Sequence, residues 1–365
     1  MNYVFVSYHY SANFHTPQAW VKRIEIYGGI MEALAKENTV HYLKQIDYQG
    51  DYLHNGVCYH FVNFNPKEKY FPRKMNRFIK SFHPDIVVVG GLHLPLQVIQ
   101  LRLNLDRHTR IIAHHHAEKP FPGLKKHIQR LADKYIDAYL FASRHMGMDW
   151  VAKGNLASPE KIHEVMEVSS TFYLIEKSIA KRKTGITGDP AFLWVGRLND
   201  NKDPINVVRA FLKFAKNNAT ARLYMIYHTD ELLPQINLLL GSSSNKSAVI
   251  LIGEVPHDDL LYWYNSVNFI ISGSHYEGSG TAICEAMSCG CIPVVTDIFS
   301  FRMITDNGKC GILYEAGNED ALLSALNSIE NQDLTALKNR SLEYFNTNLS
   351  FKAIAAQIQE VAGSL

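Results

Sequence analysis

The chain has little cysteine, no long apolar run and almost no net charge, and each shortage closes off a class of protein. Five cysteines stand at positions 58, 284, 289, 291 and 310 of 365 residues. An odd count without a framework spacing does not make a disulfide scaffold and points to reduced thiols. Cys289-Gly290-Cys291 lacks the second pair that a zinc site needs, so no metal is expected. The longest apolar stretches, DIVVVGG and AVILIG, fall far short of the ~20 residues of a membrane helix. The opening MNYVFVSYHYSANF has no basic region ahead of an apolar core, and reads as a strand and loop rather than a signal peptide. A cytoplasmic protein is expected, peripheral on the inner face of a membrane at most. Formal net charge is +2, so no global field attracts nucleic acid.

What is present is a core-forming chain long enough for two domains. Residues 1–182 alternate short β-rich runs (YVFVS, TVHYL, DIVVVGG, RIIAH, AYLFAS) with amphipathic stretches such as YGGIMEALAKE and LKKHIQRLADKY. The basic, glycine-bearing KRKTGITGDP at 181–190 reads as a linker. The pattern then restarts over 190–345, with strand candidates at 192–195, 223–227, 249–252, 269–272, 292–296 and 311–314. Strands alternating with helices make parallel sheets with right-handed crossovers. The fold class expected is α/β, with two facing Rossmann-like domains and a cleft between them. In such a sheet the strand order reverses between the first and fourth strands, and ligands bind beyond the carboxyl ends there. In the second half those ends are WVGRL and IISGSHYEGSG, which places Gly196 and Arg197 beside residues 276–281.

That stretch carries anion chemistry. Gly278, Ser279 and Gly280 follow Glu277 and open the helix TAICEAMSCG, starting at Thr281. Glycines let backbone amides approach a ligand, and a helix N-terminus offers unpaired N–H groups. Thr281, Glu285 and Ser288 share one side of the helix, away from the apolar Ile283, Ala286 and Met287. Glu285 is therefore expected to face away from the core. A carboxylate beside an anion site accepts hydrogen bonds from hydroxyl pairs rather than holding the anion. Two of them flanking a phosphate-sized site suggest a ligand with polyols on both sides of a diphosphate, the shape of a sugar nucleotide. Arg197 and Lys202, in VGRLNDNKDP, would reach the diphosphate from the opposite side. The competing readings are surface ion pairs of these two with Asp200 or Asp203, and a tight turn for the glycines.

VGRLNDNKDP, EGSGTAICEAM, CGCIPVVTD and CGILYEAGNEDAL resemble the C-terminal half of family 4 glycosyltransferases, which have the GT-B fold. The spacing of Glu277 and Glu285 is similar to that family's E-x7-E motif. The resemblance implies that Glu285 holds the ribose, that Glu277 lies near the donor sugar, and that Arg197 and Lys202 neutralise the leaving diphosphate. It implies a retaining, metal-independent transfer from a nucleoside-diphosphate sugar to an acceptor hydroxyl. The sequence has no Asp-x-Asp, the usual metal handle of the other main glycosyltransferase fold. The resemblance also places a histidine after the strand RIIAH, facing the donor sugar. Of His114, His115 and His116, His116 is the first choice and His115 the second. Strand alternation keeps the three from converging on a metal. Either candidate could instead be structural.

The first loop departs from the family pattern. Gly28-Gly29 lies late, inside KRIEIYGGIMEALAKE, where it would kink the helix or end a first segment. Tyr8, His9 and His15 are places to look for acceptor contacts. The basic, aromatic stretch 66–84 is a candidate for peripheral membrane contact; the alternative is a solvated helix with its aromatics in the core. The segment around 350–365 reads as an amphipathic helix that packs back on the first domain. The function expected is hexosyl transfer to a saccharide or lipid-linked acceptor in surface polysaccharide or glycolipid synthesis. The alternatives are a sugar-nucleotide epimerase of the same fold and a non-catalytic nucleotide-sugar-binding subunit.

Overall fold

A computed structural model describes residues 1–64, 68 and 70–365. The chain forms two compact units, one of residues 1–169 with 351–365, the other of residues 170–350.

The first unit runs β1 (Asn2–Ser11), α1 (Pro17–Arg23), α2 (Glu25–Leu34), β2 (Thr39–Ile46), β3 (Gly50–His54), β4 (Val57–Val62), α3 (Arg73–Ser81), β5 (Ile86–Gly90), α4 (Pro95–Asn104), β6 (Arg110–His114), α5 (Gly123–Ala132), β7 (Ala138–Phe141), α6 (Arg144–Ala152) and β8 (Ile162–Glu164). Its sheet has the order β3-β4-β2-β1-β5-β6-β7-β8. All pairings are parallel except β3 with β4, a hairpin turned by Asn55-Gly56, both at positive φ. Two-residue turns of that kind favour Asn-Gly because both residues need positive φ. The core strands are continuous apolar runs, with Val87, Val88 and Val89 fully buried, as parallel strands covered on both faces require.

The second unit runs α7 (Lys177–Thr184), β9 (Ala191–Gly196), α8 (Pro204–Phe214), β10 (Arg222–Tyr227), α9 (Leu233–Gly241), β11 (Val249–Gly253), α10 (Leu260–Ser266), β12 (Phe269–Ser272), α11 (Thr281–Ser288), β13 (Ile292–Thr296), α12 (Phe299–Ile304), β14 (Ile312–Tyr314), α13 (Glu319–Ser328) and α14 (Leu334–Tyr344). The order is β11-β10-β9-β12-β13-β14, every pair parallel. Counted within the unit this is 3-2-1-4-5-6, so the reversal falls between β9 and β12. Residues 181–190 are not all linker: Lys177–Thr184 is a helix that packs on α10 and buries Ala180.

The last helix, α15 (Phe351–Gly363), returns to the first unit and packs on α2. This explains the glycine pair. The helical break is at Ile24, ahead of it, and Gly28-Gly29 sits inside α2. A Cβ on Gly29 would stand 2.6–2.7 Å from ring carbons of Phe351, so the missing side chain seats that ring.

Candidate functional site

The second unit brings the expected residues together. β9 ends at Gly196, and Arg197 to Asp203 form the loop into α8. A Cβ on Gly273, just past β12, would lie 3.0–3.1 Å from Val207 Cγ2 and the carbonyls of Lys202 and Asp203. The two loops therefore touch backbone to backbone. His275 N–H donates to the Asn201 carbonyl at 2.8 Å, and Asn201 Nδ2 donates to the Tyr276 carbonyl at 3.0 Å. Across this seam Lys202 Nζ forms an ion pair with Glu277 Oε1, both side chains being mostly buried. So the surface pairing of Lys202 with Asp200 or Asp203 is not what forms; its partner is the first glutamate of the motif. Arg197 is exposed and its guanidinium makes no ion pair among the described residues. Asp203 instead faces His275 at 3.4 Å.

Gly278 and Ser279 bend the chain towards Gly280, the N-cap of α11 at φ 56°. A Cβ on Gly280 would meet Ile304 and Phe301 at 2.9 Å, so both conformation and space demand glycine. No side chain caps α11, which leaves the amides of Thr281 and Ala282 at the N-terminus directed out of the helix.

Glu285 departs from expectation. It does not face away from the core: the residue is 3% exposed, and Ser288 is buried beside it. Residues 170–173, α10 and His257 cover what the helical wheel alone would leave open. Glu285 Oε1 takes a hydrogen bond from His257 Nε2 at 2.8 Å and Oε2 one from Tyr264 Oη at 3.0 Å. Ser288 Oγ bonds Ser170 Oγ at 2.9 Å. Each Glu285 oxygen keeps a second lone pair for a ligand hydroxyl. His257 also lines a recess of about 630 Å3 at the carboxyl ends of β9, β10 and β11, with Val195, Gly196, Tyr227, His228, Glu254, Val255, Pro256 and Leu260. That volume suits a base and ribose. Sequence reasoning does not single out His257, Tyr264 or Glu254; nothing in their local spacing marks them.

The cysteines pack. Cys284, Cys289, Cys291 and Cys310 are buried; Cys289 Sγ donates to the Tyr173 carbonyl and Cys291 Sγ to that of Tyr264. Burial pushes the Cys284 and Cys289 thiols up to about 12.

In the first unit the three histidines at the end of β6 divide by what covers each ring. His114 is fully buried, its rings's neighbours being Tyr27 and His116, and burial holds its pKa well below 6.5. His115 is structural, which corrects its assignment to the site. It is 1% exposed, packs on Phe141 with centroids 4.6 Å apart, and bonds the Glu118 carbonyl at 2.8 Å. Burial lowers its pKa. His116 is exposed, with Nδ1 2.6 Å from Glu167 Oε2. Partial desolvation opposes the charge on His116, whose side chain keeps 38% of its surface in solvent, but Glu167 and Glu118 outweigh it and raise its pKa. Glu118 accepts from the amides of Leu92 and His116 and faces His93 Nδ1 at 3.0 Å. Burial would raise its carboxyl, yet these histidines hold it down at about 2. Glu167 lies far from His116 in sequence, so no spacing signal could have found it; Glu118 sits two residues on and was legible only as a neighbour.

Of the other first-unit candidates, Tyr8 is buried and donates to Asn76 Oδ1 at 2.8 Å. His9 stacks on His93 at 4.5 Å, and His15 is exposed and 2.9 Å from Asp47. Within the stretch 66–84, residues 66, 67 and 69 lie outside the described residues. In α3, Met75, Asn76 and Ile79 are buried and Phe78 packs on Phe82 and His60, while Phe71 is 65% exposed. Among the described residues no helix is long and apolar enough to cross a membrane.

Two parallel-dominated units, the second wound 3-2-1-4-5-6, define the fold of the GT-B glycosyltransferases. HepE of Anabaena in complex with UDP aligns over all of both chains with a TM-score of 0.72 at 13% identity. Residues 176–345 match the family described as glycosyl transferases group 1. It is similar to O-antigen chain mannosyltransferase B of Escherichia coli, 35% identical over 84 residues, 23% of this chain and 22% of that protein. It is similar to poly(glycerol-phosphate) alpha-glucosyltransferase of Bacillus subtilis (strain 168), 30% identical over 146 residues, 40% of this chain and 21% of that protein. The matched stretches span about a fifth of the length of these curated relatives.

Proposed function

We propose that the chain is a retaining, metal-independent glycosyltransferase of family 4. It moves a hexosyl group from a nucleoside-diphosphate sugar to an acceptor hydroxyl in surface polysaccharide or glycolipid synthesis. The observation that carries the reading is the Lys202–Glu277 pair at the β9–β12 reversal, beside the uncapped N-terminus of α11. The diphosphate would lie over Gly278 to Thr281, met by backbone amides, Lys202 and Arg197. Glu285 would hold the ribose at the mouth of the recess that takes the base. His116, paired with Glu167, is the first-unit group proposed to contact sugar.

In the reaction the bond from the anomeric carbon to the phosphate oxygen breaks, and its electron pair stays on the diphosphate. The acceptor oxygen bonds the anomeric carbon on the same face and passes its proton to the departing phosphate oxygen. Arg197, Lys202 and the α11 amides stabilise the charge that develops, the work of a preorganised electrostatic site. Lys202 must share its charge between Glu277 and the diphosphate, which would draw the sugar-side carboxylate into place as the donor binds.

Calorimetric titration with UDP, GDP, ADP and CMP, chelator present, tests this. One nucleoside diphosphate should bind saturably. Lys202→Ala should weaken it by about tenfold or more, the worth of one charge-assisted contact. No binding by any of the four, or undiminished transfer by Lys202→Ala, would overturn the assignment. Donor consumed without any acceptor would point to an epimerase instead.

A further inference from the structure

The second unit has another recess, of about 520 Å3, at the amino ends of β12 and β13, where Asn268, Phe269 and Ile292 line it. The proposed donor site stands at the carboxyl ends of the same sheet, so the two lie at opposite edges of the unit.

Two lysines converge on this recess, Lys177 at the start of α7 and Lys338 on α14. Both are half-buried, and among the described residues neither ammonium has an ion pair or a hydrogen bond. Lys338 is fixed in place. A Cβ on Gly290 would meet its Cε at 2.7 Å and its Nζ at 3.5 Å, so its stem lies across the turn that follows α11. Lys181, one turn after Lys177 on the same side of α7, is unpaired as well. Burial lowers the pKa of Lys177, and Lys181 and Lys338 lower it further against the pull of Asp189 and Cys291. Among the described residues no carboxylate lines the recess. The acids near it in sequence are spent elsewhere: Asp333 accepts from the Ala336 amide and Glu176 from the Ser178 hydroxyl, while Asp189 pairs with neither lysine. Ammonium groups taken partly out of water without partners are costly, and two facing one cavity repel each other. An anion between them relieves both costs.

The remaining wall is preformed and rich in neutral donors. Asn265 accepts from the Ile175 amide at 2.8 Å and donates to the Tyr173 carbonyl at 3.0 Å, which pins one side of the recess to α10. Asn268 Oδ1 accepts from the Ala191 amide at 3.1 Å, which leaves its NH2 group as a donor. Thr335 and Asn339 share the Lys338 face of α14. Two cations call for a dianion, the amides and hydroxyl call for hydroxyls beside it, and the volume admits an organic body as well as a phosphate.

We propose that the recess between α7, α10 and α14 binds a small organic phosphate monoester, with Lys177 and Lys338 on the phosphate and Asn268, Thr335 and Asn339 on hydroxyls of its organic part. This site is separate from the proposed donor site and does not depend on it.

Calorimetric titration of the full chain in phosphate-free buffer tests it, with glucose 6-phosphate, glycerol 3-phosphate, inorganic phosphate and glucose as probes. At least one ester should bind saturably and more tightly than inorganic phosphate, and glucose should not bind. Lys177→Met and Lys338→Met keep each aliphatic stem and remove its charge. Each should weaken the ester by about tenfold or more, the worth of one charge-assisted contact. Neither breaks a bond within the protein, so both should melt at the wild-type temperature or above it, and both should bind nucleoside diphosphate as wild type does. Lys202→Ala should leave ester affinity unchanged. Binding of neither ester, ester binding untouched in the Lys177→Met, Lys338→Met double variant, or glucose bound as tightly as its phosphate would overturn the proposal. Ester binding lost in Lys202→Ala and kept in the double variant would place the phosphate at the carboxyl ends of the strands and overturn it as well.

Discussion

Glu285→Ala separates a carboxylate that only meets ligand from one that also holds its unit together. The substitution takes the acceptor from Tyr264, a residue with no exposed surface, and from His257, whose side chain is 43% exposed. The Tyr264 bond has a charged acceptor and is fully desolvated, so its loss costs about 1.5–3 kcal/mol. The His257 bond faces water and contributes below about 1 kcal/mol. The space vacated in a closed site adds about 1 kcal/mol. Together these come to about 3–4 kcal/mol. A unit of this size loses ~2–4 °C of Tm per kcal/mol, so calorimetry should show a fall of ~10 °C. Glu285→Gln keeps the shape and one acceptor oxygen, and should lose about half as much. If Glu285→Ala melts within ~2 °C of wild type, the carboxylate is no structural anchor and the reasoning fails.

Gly280→Ala forces a side chain into φ 56° and against Ile304 and Phe301; calorimetric melting should show a loss of about 2 kcal/mol, with weakened nucleotide binding, and an unchanged protein would refute the argument. Glu118 has a folded pKa of about 2, below its unfolded value near 4.5, so the stability it contributes is present above pH ~4.5 and disappears as pH falls through about 2. Denaturation against pH should show wild type more stable than Glu118→Gln by about 3 kcal/mol at neutral pH, the gap closing in that acid window. Glu167→Gln removes the larger of the two carboxylate effects that raise the His116 pKa, so an NMR titration of the imidazole should move downward. An unmoved titration would show that the pair does not govern His116.

The sheets were legible because their strands are buried on both faces and read as unbroken apolar runs. The strand candidates at 269–272 and 292–296 match β12 and β13 to the residue. The reversal point followed from topology alone, which is why Gly196, Lys202 and Glu277 could be placed together. The β3–β4 hairpin went unread although Asn55-Gly56 announces its turn, because its outer strand, GDYLH, is short and alternates half-buried and exposed residues, offering no apolar run. The helical wheel misplaced Glu285 because a wheel knows one helix, whereas burial here comes from residues 170–173 and α10. His116 was separable from His114 and His115 only by knowing what covers each ring. Its partner Glu167 belongs to a loop after β8, and no periodicity joins the two.

The seating of Phe351 on Gly29 has a consequence for synthesis. The helix that completes the first unit is encoded after the whole of the second. At the usual pace of translation, roughly 10–40 s pass between the end of the first unit's early segment and the arrival of its closing helix. Until then α2 presents an empty notch at Gly29. The earlier unit thus cannot be closed until the whole of the later one has been made.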